Sequence, residues 1–200
     1  MNKKVAIYGG TFDPVHRGHI ALADAACREC GLDRLIFMPD YISPFKQDKE
    51  VTCGQDRYRM LESILHYNSA FSVSAYEITK EGPSYTIETL EHWDRILDDE
   101  ISFVLGFDSA IEVDTWFRGE DIIRKFPLIT AVRPGTDISD GLAKINALRE
   151  KYGANISILS MDPVDASSTE IRKRVKEEKS ISDLVMPETE EYILEHNLYR

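Results

Sequence analysis

The sequence has no long apolar segment. None of the stretches among its 200 residues approaches the roughly 20 apolar residues that a membrane-spanning helix needs. The first ten residues, MNKKVAIYGG, contain an apolar run of about four residues, whereas a secretion signal needs roughly 7–15. We therefore expect a cytoplasmic protein that binds no membrane.

Cysteine is scarce. The three residues Cys27, Cys30 and Cys53 are too few, and odd in number, for a disulfide framework. Cys27 and Cys30 form the motif CREC on a predicted helix, which is compatible with a redox pair or with half of a zinc site. Because no second CxxC motif and no histidine ligand pattern accompanies them, we favour two reduced thiols near a helix end.

Basic residues are outnumbered by acidic ones. The chain has 24 Lys and Arg against 35 Asp and Glu, a formal net charge of −11. General binding of DNA or RNA needs a basic face, so we expect no nucleic-acid partner. A small phosphate ligand is not excluded, since a local cluster of amides, histidines and one or two cations can hold it.

Short apolar runs alternate with helical patterns along the chain. The predicted strands lie at 3–8, 34–39, 71–78, 101–107, 127–133 and 155–161. Helices are predicted at 18–30, 54–66, 84–97, 119–125, 138–152 and 168–178, with a last helix starting near Pro187. The alternation predicts an α/β fold with a doubly wound, Rossmann-like, mostly parallel sheet and helices on both faces. Without a repeat or linker, residues 1–200 are predicted to form a single domain.

Residues 40–53 fit neither the strand nor the helix period. Their sequence, DYISPFKQDKEVTC, is polar and long enough for a mobile flap. A plain solvated connection is the alternative.

The stretch YGGTFDPVHRGH follows the first predicted strand. In a doubly wound sheet, ligands bind beyond the carboxyl ends of the strands, and this turn is the usual place. Gly9 and Gly10 let the backbone approach a ligand without a side-chain collision. Exposed amides at the start of the following helix favour an anion.

His16 and His19 lie three residues apart and share a helix face. Each imidazole offers a donor to a phosphate oxygen, so the pair suits charge stabilisation better than general-base chemistry. A metal site would need a third ligand, and a nucleophile would need Ser or Cys beside a His. The nearest acid, Asp13, lies in a turn, and neither Ser nor Cys is present in this stretch.

The string GGTFDPVHRGH after a first strand resembles the (T/H)xGH motif of nucleotidyltransferases. The full stretch is similar to that of the bacterial nicotinate mononucleotide adenylyltransferases, and the resemblance extends over essentially the whole chain. It implies that 1–200 is a nucleotidyltransferase domain. It also implies that Gly9, Gly10 and Thr11 form the floor of the substrate site and that Phe12 is a substrate-binding residue.

The segment SSTEIRKRV, at 167–175, resembles the family's second signature, ISSTxIR, with Ala166 where Ile is common. Ser167 or Ser168 can cap a helix, and the resemblance implies that Thr169 and Arg172 face phosphate oxygens with the free amides. The alternative is an ordinary capping box with an exposed arginine.

Two further segments resemble the family's mononucleotide-binding parts. In GPSYTIETL, amides in the helix turn that contains Thr86 could receive the carboxylate of a nicotinate ring. In GFDSAIEVDTWF, Gly106 begins the segment, Asp108 is placed to bond a ribose hydroxyl and Trp116 to stack on the pyridine ring. A capped helix and a core tryptophan are the structural alternatives.

The 40–53 segment departs from the family pattern. Phe45 replaces the usual His before Lys46, so no contact of residue 45 with phosphate is expected. Lys46 is still expected to pair with the outer phosphates. By resemblance Arg133 lies near the site, although a purely structural role fits the sequence equally well.

The resemblance implies that ATP and nicotinate mononucleotide are joined to give deamido-NAD and pyrophosphate, in NAD biosynthesis. Catalysis would consist of positioning two anions and neutralising their charge. We expect His16 and His19 to contact the ATP phosphates, and Lys46 and Arg172 to hold the pyrophosphate. Mg²⁺ is expected to bind through the ATP phosphates and water, with no protein metal site.

Two other functions stay open. A sister nucleotidyltransferase that acts on phosphopantetheine or uses CTP shares the first motif but usually lacks the PSYTIETL and Asp…Trp segments. A non-catalytic nucleotide-binding module has the same fold, although pure binding would not require both histidines, Lys46 and Arg172. The sequence also leaves open the degree of preference for the acid over the amide mononucleotide and association into a homo-oligomer.

Overall fold

A sheet of six parallel strands forms the centre of the protein. The computed structural model describes residues 2–41, 51–80, 82–132, 138–161 and 164–200. The strands are β1 (Lys4–Gly10), β2 (Arg34–Pro39), β3 (Phe71–Val73), β4 (Glu100–Val104), β5 (Leu128–Ala131) and β6 (Ile156–Leu159). They pair in parallel in the order β3-β2-β1-β4-β5-β6. This order confirms the doubly wound sheet, with the strand order reversing between β1 and β4.

Helices connect successive strands. Within the described ranges the α-helices are α1 (Arg17–Cys30), α2 (Gly54–Ser63), α3 (Tyr76–Lys80), α4 (Thr86–Ile96), α5 (Phe107–Glu112), α6 (Gly119–Lys125), α7 (Ser139–Tyr152), α8 (Ser168–Lys176) and α9 (Pro187–Glu195). Short 3-10 turns lie at Leu65–Tyr67 and Val113–Thr115. Pro187 occupies the start of α9, where a missing N–H costs no helical hydrogen bond.

Both faces of the sheet are buried. On one face Ala6 and Tyr8 of β1 pack with α1, α2 and α8. On the other face Val5 and Ile7 pack with α4, α6 and α7. This burial explains why the strands read as continuous apolar runs instead of alternating with polar residues.

Two strand predictions were wrong at their ends. The predicted strand 71–78 stops at Val73, and Ser74 begins a turn in which its hydroxyl accepts a hydrogen bond from Tyr76 N–H at 3.2 Å. Residues 76–80 then form α3. The predicted strand 101–107 ends at Val104, because Gly106 leads into α5 at Phe107. Both turns lie at the carboxyl edge of the sheet, where the candidate site is located.

In the part of the chain that the structure describes, no helix combines the length and apolar character required to cross a membrane.

Candidate active site

The two central strands end in glycines. A Cβ on Gly9 would lie 2.9 Å from the ring of Phe103, and one on Gly10 would lie 2.9 Å from the ring of Phe12. Gly106 follows β4 on the neighbouring strand. The rings of Phe103 and Phe12 therefore fill the space beside Gly9 and Gly10, whereas nothing lies within 4 Å of a Cβ on Gly106. β1 and β4 flank the point where the strand order reverses, which is where a doubly wound sheet binds its ligands.

The two histidines of the first motif stack on each other. Their ring centroids lie 3.6 Å apart at an interplanar angle of 24°, at the start of α1. The backbone N–H of His16 donates to Nδ1 of His19 at 3.2 Å. Because Nδ1 accepts this bond, the neutral His19 ring carries its proton on Nε2. His19 is therefore oriented to donate from Nε2, the chemistry required for contact with a phosphate oxygen.

The ring of Phe12 packs against the ring of His19. Its backbone has a left-handed φ of 49°, and its side chain is 2% exposed. The ring meets His19 edge to face at 5.0 Å, and it meets Tyr8 and Phe37 in the same way. Phe12 was predicted as a substrate-binding residue, and in the structure its ring packs in the core against the histidine.

The second signature is joined to the first. Ser167, not Ser168, caps α8, and its hydroxyl accepts from Glu170 N–H at 3.2 Å. Ser168 instead donates to the Pro14 carbonyl at 3.0 Å. Arg172 donates from Nη1 to the Asp13 carbonyl at 2.6 Å. The Asp13–Pro14 turn thus fixes the start of α8 relative to the histidines.

Thr169 lies beside Arg172 in the same turn of α8. Its hydroxyl accepts from Nη2 of Arg172 at 3.5 Å. The two side chains therefore contact each other at the start of α8, and their contact with phosphate stays a prediction.

Asp13 is a buried acid whose side chain accepts two hydrogen bonds from distant parts of the chain. One carboxylate oxygen accepts from the Tyr199 hydroxyl at 2.7 Å, and the other accepts from Thr52 N–H at 3.3 Å. Burial, followed by the charge of Asp13, raises the pKa of the Tyr199 hydroxyl, which therefore stays a hydrogen-bond donor at neutral pH. A residue near the carboxyl terminus thus helps to hold the first motif.

Arg57 and Asp40 are a further missed pair. Arg57, on α2, is 1% exposed and lies 3.1 Å from Asp40 Oδ1. It also donates to the carbonyls of Thr11, Asp40 and Thr52, at 2.7, 2.6 and 2.9 Å. The Thr11 hydroxyl donates to Asp40 Oδ2 at 2.9 Å. Arg57 therefore fixes the loop after β1 against the end of β2.

Two cavities open at this edge of the sheet. The first, of about 310 Å³, contains Thr86 and Trp116 together with Thr11, Asp40, Glu77 and Ser84. The second, of about 550 Å³, contains His16, His19, Asp108 and Ala166. The cavities share a wall formed by four residues, Gly9, Gly10, Gly106 and Ser109.

Asp108 lies on the histidine side of this wall. The sequence analysis grouped it with Trp116 because both belong to one segment. In the structure Asp108 lines the second cavity and Trp116 the first, and the roles of both stay predictions. Trp116 meets Phe103 edge to face at 6.4 Å and is half-buried.

Glu77 is the second missed acid of the first cavity. Its carboxyl group is 7% exposed and accepts from the Thr89 hydroxyl at 2.5 Å. Burial raises its pKa to about 7.

The structure does not describe every residue that was predicted to belong to the site. Lys46, Phe45 and Arg133 fall outside the described residues.

Burial, the largest contribution, raises the pKa of Cys27 to about 11, which makes its thiol a poor nucleophile and fits the inert interpretation of the CREC motif. In the described ranges, no three or more His, Cys, Asp or Glu side chains are placed to hold a metal ion.

Known proteins resemble this chain in sequence and in fold. The sequence profile of the family described as "Cytidylyltransferase-like" matches residues 7–174. A curated protein of Carboxydothermus hydrogenoformans named "Probable nicotinate-nucleotide adenylyltransferase" is 36% identical over 198 residues, covering 98% of both chains. The chain belongs to the nicotinate-nucleotide adenylyltransferase family. A Clostridium botulinum (strain Eklund 17B) relative with the same name is 37% identical over 198 residues, covering 99% of this chain and 98% of the relative.

A solved structure agrees with the fold. The protein titled "Plasmodium falciparum nicotinic acid mononucleotide adenylyltransferase complexed with NaAD" aligns with a TM-score of 0.80 at 21% identity, over 98% of this chain and 97% of its own. At that identity the likeness concerns the fold. Family membership confirms the resemblance identified from the sequence motifs, whereas the roles of individual residues stay predictions.

Proposed function

We propose that the protein transfers the adenylyl group of ATP to nicotinate mononucleotide, giving deamido-NAD and pyrophosphate. A phosphate oxygen of the mononucleotide attacks the α-phosphorus of ATP, and the bond from that phosphorus to the β-phosphate bridging oxygen breaks. The attacking oxygen belongs to the substrate, so no covalent enzyme intermediate forms. The protein contributes position and charge stabilisation.

The main support for this proposal is that the two cavities adjoin and share four lining residues. One cavity contains the histidine pair and the other contains Trp116 and the start of α4, and Gly9, Gly10, Gly106 and Ser109 line both. Two nucleotides bound on either side would meet over bare backbone. That arrangement fits the joining of two phosphates better than the binding of one nucleotide.

The second cavity is assigned to ATP. His19 presents Nε2–H as a donor, and the positive dipole end of α1 favours the anionic phosphates. Asp108 is reassigned to the ATP side, where its carboxylate can accept from a ribose hydroxyl. Ser167, Ser168 and Thr169 start α8 beside the Asp13–Pro14 turn, and Arg172 is expected to turn its second nitrogen toward the departing pyrophosphate.

The first cavity is assigned to the mononucleotide. Trp116 offers an aromatic face for the pyridine ring. Thr86 starts α4, whose exposed amides and positive dipole end favour a ring carboxylate over an uncharged carboxamide. This is the physical basis for expecting the acid form of the substrate.

Mg²⁺ enters the proposal as part of the ATP substrate. The described residues offer no cluster of three or more ligands, so phosphate oxygens and water would complete its coordination. When bound, the ion supplies charge neutralisation to the β- and γ-phosphates.

Pyrophosphate release tests the proposal. MgATP would be offered with nicotinate mononucleotide, nicotinamide mononucleotide or phosphopantetheine, and MgCTP would replace MgATP in a parallel series. We expect the fastest release with MgATP and nicotinate mononucleotide. Faster release with phosphopantetheine or with CTP would favour a sister transferase. ATP binding without any release would favour a non-catalytic module.

A further inference from the structure

Glu77 faces the first cavity and has no role in the reaction described above. Its carboxyl group accepts from the hydroxyl of Thr89 at 2.5 Å and from the hydroxyl of Ser84. Ser84 precedes Thr86, the first residue of α4, and Thr89 follows it. Ser84 also accepts from Tyr41 N–H at 3.0 Å. Glu77 is therefore bonded on both sides of the turn that we assign to the ring carboxylate.

No described cation forms an ion pair with Glu77. On its own helix, Lys80 lies near enough to lower its pKa, but Lys80 is itself paired with Glu88 of α4. At the end of β2, Asp40 adds a second negative charge, which Arg57 of α2 balances. The aromatic neighbours on this side, Tyr76 of α3 and His92 of α4, stack on each other at 4.1 Å.

Burial is the largest influence on Glu77. It raises the pKa to about 7, against the lowering effect of the Thr89 and Ser84 hydrogen bonds. Near neutral pH the side chain is therefore divided between a neutral acid and a carboxylate. The two forms present opposite chemistry to the same cavity, because only the acid carries a proton to donate.

Resting on the adenylyl transfer proposed above, we propose that Glu77 sets the specificity of the first cavity for the acid mononucleotide. Its neutral carboxyl group accommodates and donates a hydrogen bond to the ring carboxylate of nicotinate mononucleotide. Its ionised carboxylate repels the ring carboxylate. Nicotinamide mononucleotide carries an uncharged carboxamide on its pyridinium ring, so the ionised form of Glu77 does not repel it.

The test on the unmodified protein is a ratio of affinities. Calorimetry would give the dissociation constants of nicotinate and nicotinamide mononucleotide from about pH 6 to about pH 8.5. Both ligands carry the same 5′-phosphate, so its titration cancels in the ratio. If binding of the acid ring requires the neutral Glu77, the preference for the acid falls by up to about tenfold per pH unit above the titration point. We expect a total fall of roughly tenfold.

Two variants test whether Glu77 is the residue that causes the pH dependence of the acid-to-amide ratio. Glu77→Gln keeps a neutral polar group and should hold the acid-to-amide ratio constant within about twofold over the same range. Glu112→Gln is the matched control, because Glu112 lines the same cavity with an exposed side chain that water screens, and it should keep the pH response of the unmodified protein.

The outcomes separate this inference from the function on which it rests. A constant ratio in the unmodified protein overturns the role of Glu77, and so does a parallel fall in Glu77→Gln. If Glu77→Gln does not fold, the pH dependence of the ratio measured on the unmodified protein still tests the role of Glu77. Pyrophosphate release from MgATP and nicotinate mononucleotide at about pH 6 establishes the function separately, and no release at any pH overturns both.

Discussion

His19 performs two tasks that different substitutions separate. Its Nδ1 accepts from the backbone N–H of His16 at 3.2 Å, and we expect its Nε2 to donate to phosphate. Asparagine places an amide oxygen near the position of Nδ1 and has nothing at Nε2. Glutamine places an amide N–H near the position of Nε2 and loses the bond to His16. We predict that His19→Asn is stable but slow, and that His19→Gln is less stable but faster than His19→Asn.

The magnitudes follow from what each variant loses. The backbone bond is a single partly buried hydrogen bond of about 0.5–1.5 kcal/mol, which for a chain of this size corresponds to roughly 2–6 °C in Tm. A preorganised donor to transition-state charge is associated with roughly 10²–10³ in kcat. His19→Asn should therefore lose that factor in kcat while its Tm stays within about 2 °C. His19→Ala should lose both the rate and the bond.

The assay combines steady-state pyrophosphate release with thermal unfolding. His196→Asn is the control, because His196 also stacks on an aromatic ring, that of Tyr192 at 3.9 Å, but belongs to neither cavity. It should keep normal turnover. A His19→Asn variant that turns over within about threefold of the unmodified protein would refute the assignment of Nε2 to the phosphates.

Three further predictions concern the neighbouring residues. Trp116→Ala should raise KM for the mononucleotide roughly 5–100-fold, the range for losing one aromatic stack, with KM for ATP unchanged; equal effects on both would contradict the two-cavity assignment. Arg172→Lys keeps the charge but loses the planar fork, so kcat/KM for ATP should fall about tenfold, and normal kinetics would show that charge alone suffices. Arg57→Met leaves a partly buried carboxylate unpaired and should lower the free energy of unfolding by about 3–5 kcal/mol in denaturant titrations. The exposed Arg59→Met should leave the midpoint unchanged.

The sheet was predictable because its strands obey a simple rule. Runs such as KVAIYG and RLIFMP are apolar on both faces and separated by helical patterns, and that combination fits a parallel sheet. The order of the strands was not predicted, and the structure supplies it. The ends of β3 and β4 were wrong because Ser74 and Gly106 redirect the chain locally, and such turns compete closely with continued strand.

The residues missed in the site are buried polar groups. Arg57 lies at helical spacing from the buried Met60, Leu61 and Ile64, so a charged residue on an apolar face was a signal that could have been used. Glu77 lay inside a predicted strand, where alternation gave no reason to place it in a cavity. The bond from Tyr199 to Asp13 joins residues 186 positions apart, and nothing in local sequence predicts it.

An acidic protein that binds two anions must neutralise its own carboxylates near the ligands. The chain carries a net charge of −11, and the first cavity contains both Asp40 and Glu77. Asp40 is balanced by the buried guanidinium of Arg57 at 3.1 Å. Glu77 has no described ion-pair partner, and burial favours its neutral form. An ion pair is insensitive to pH near neutrality and a protonated acid is not, so within this cavity the sensitivity to pH should reside in Glu77 and not in Asp40.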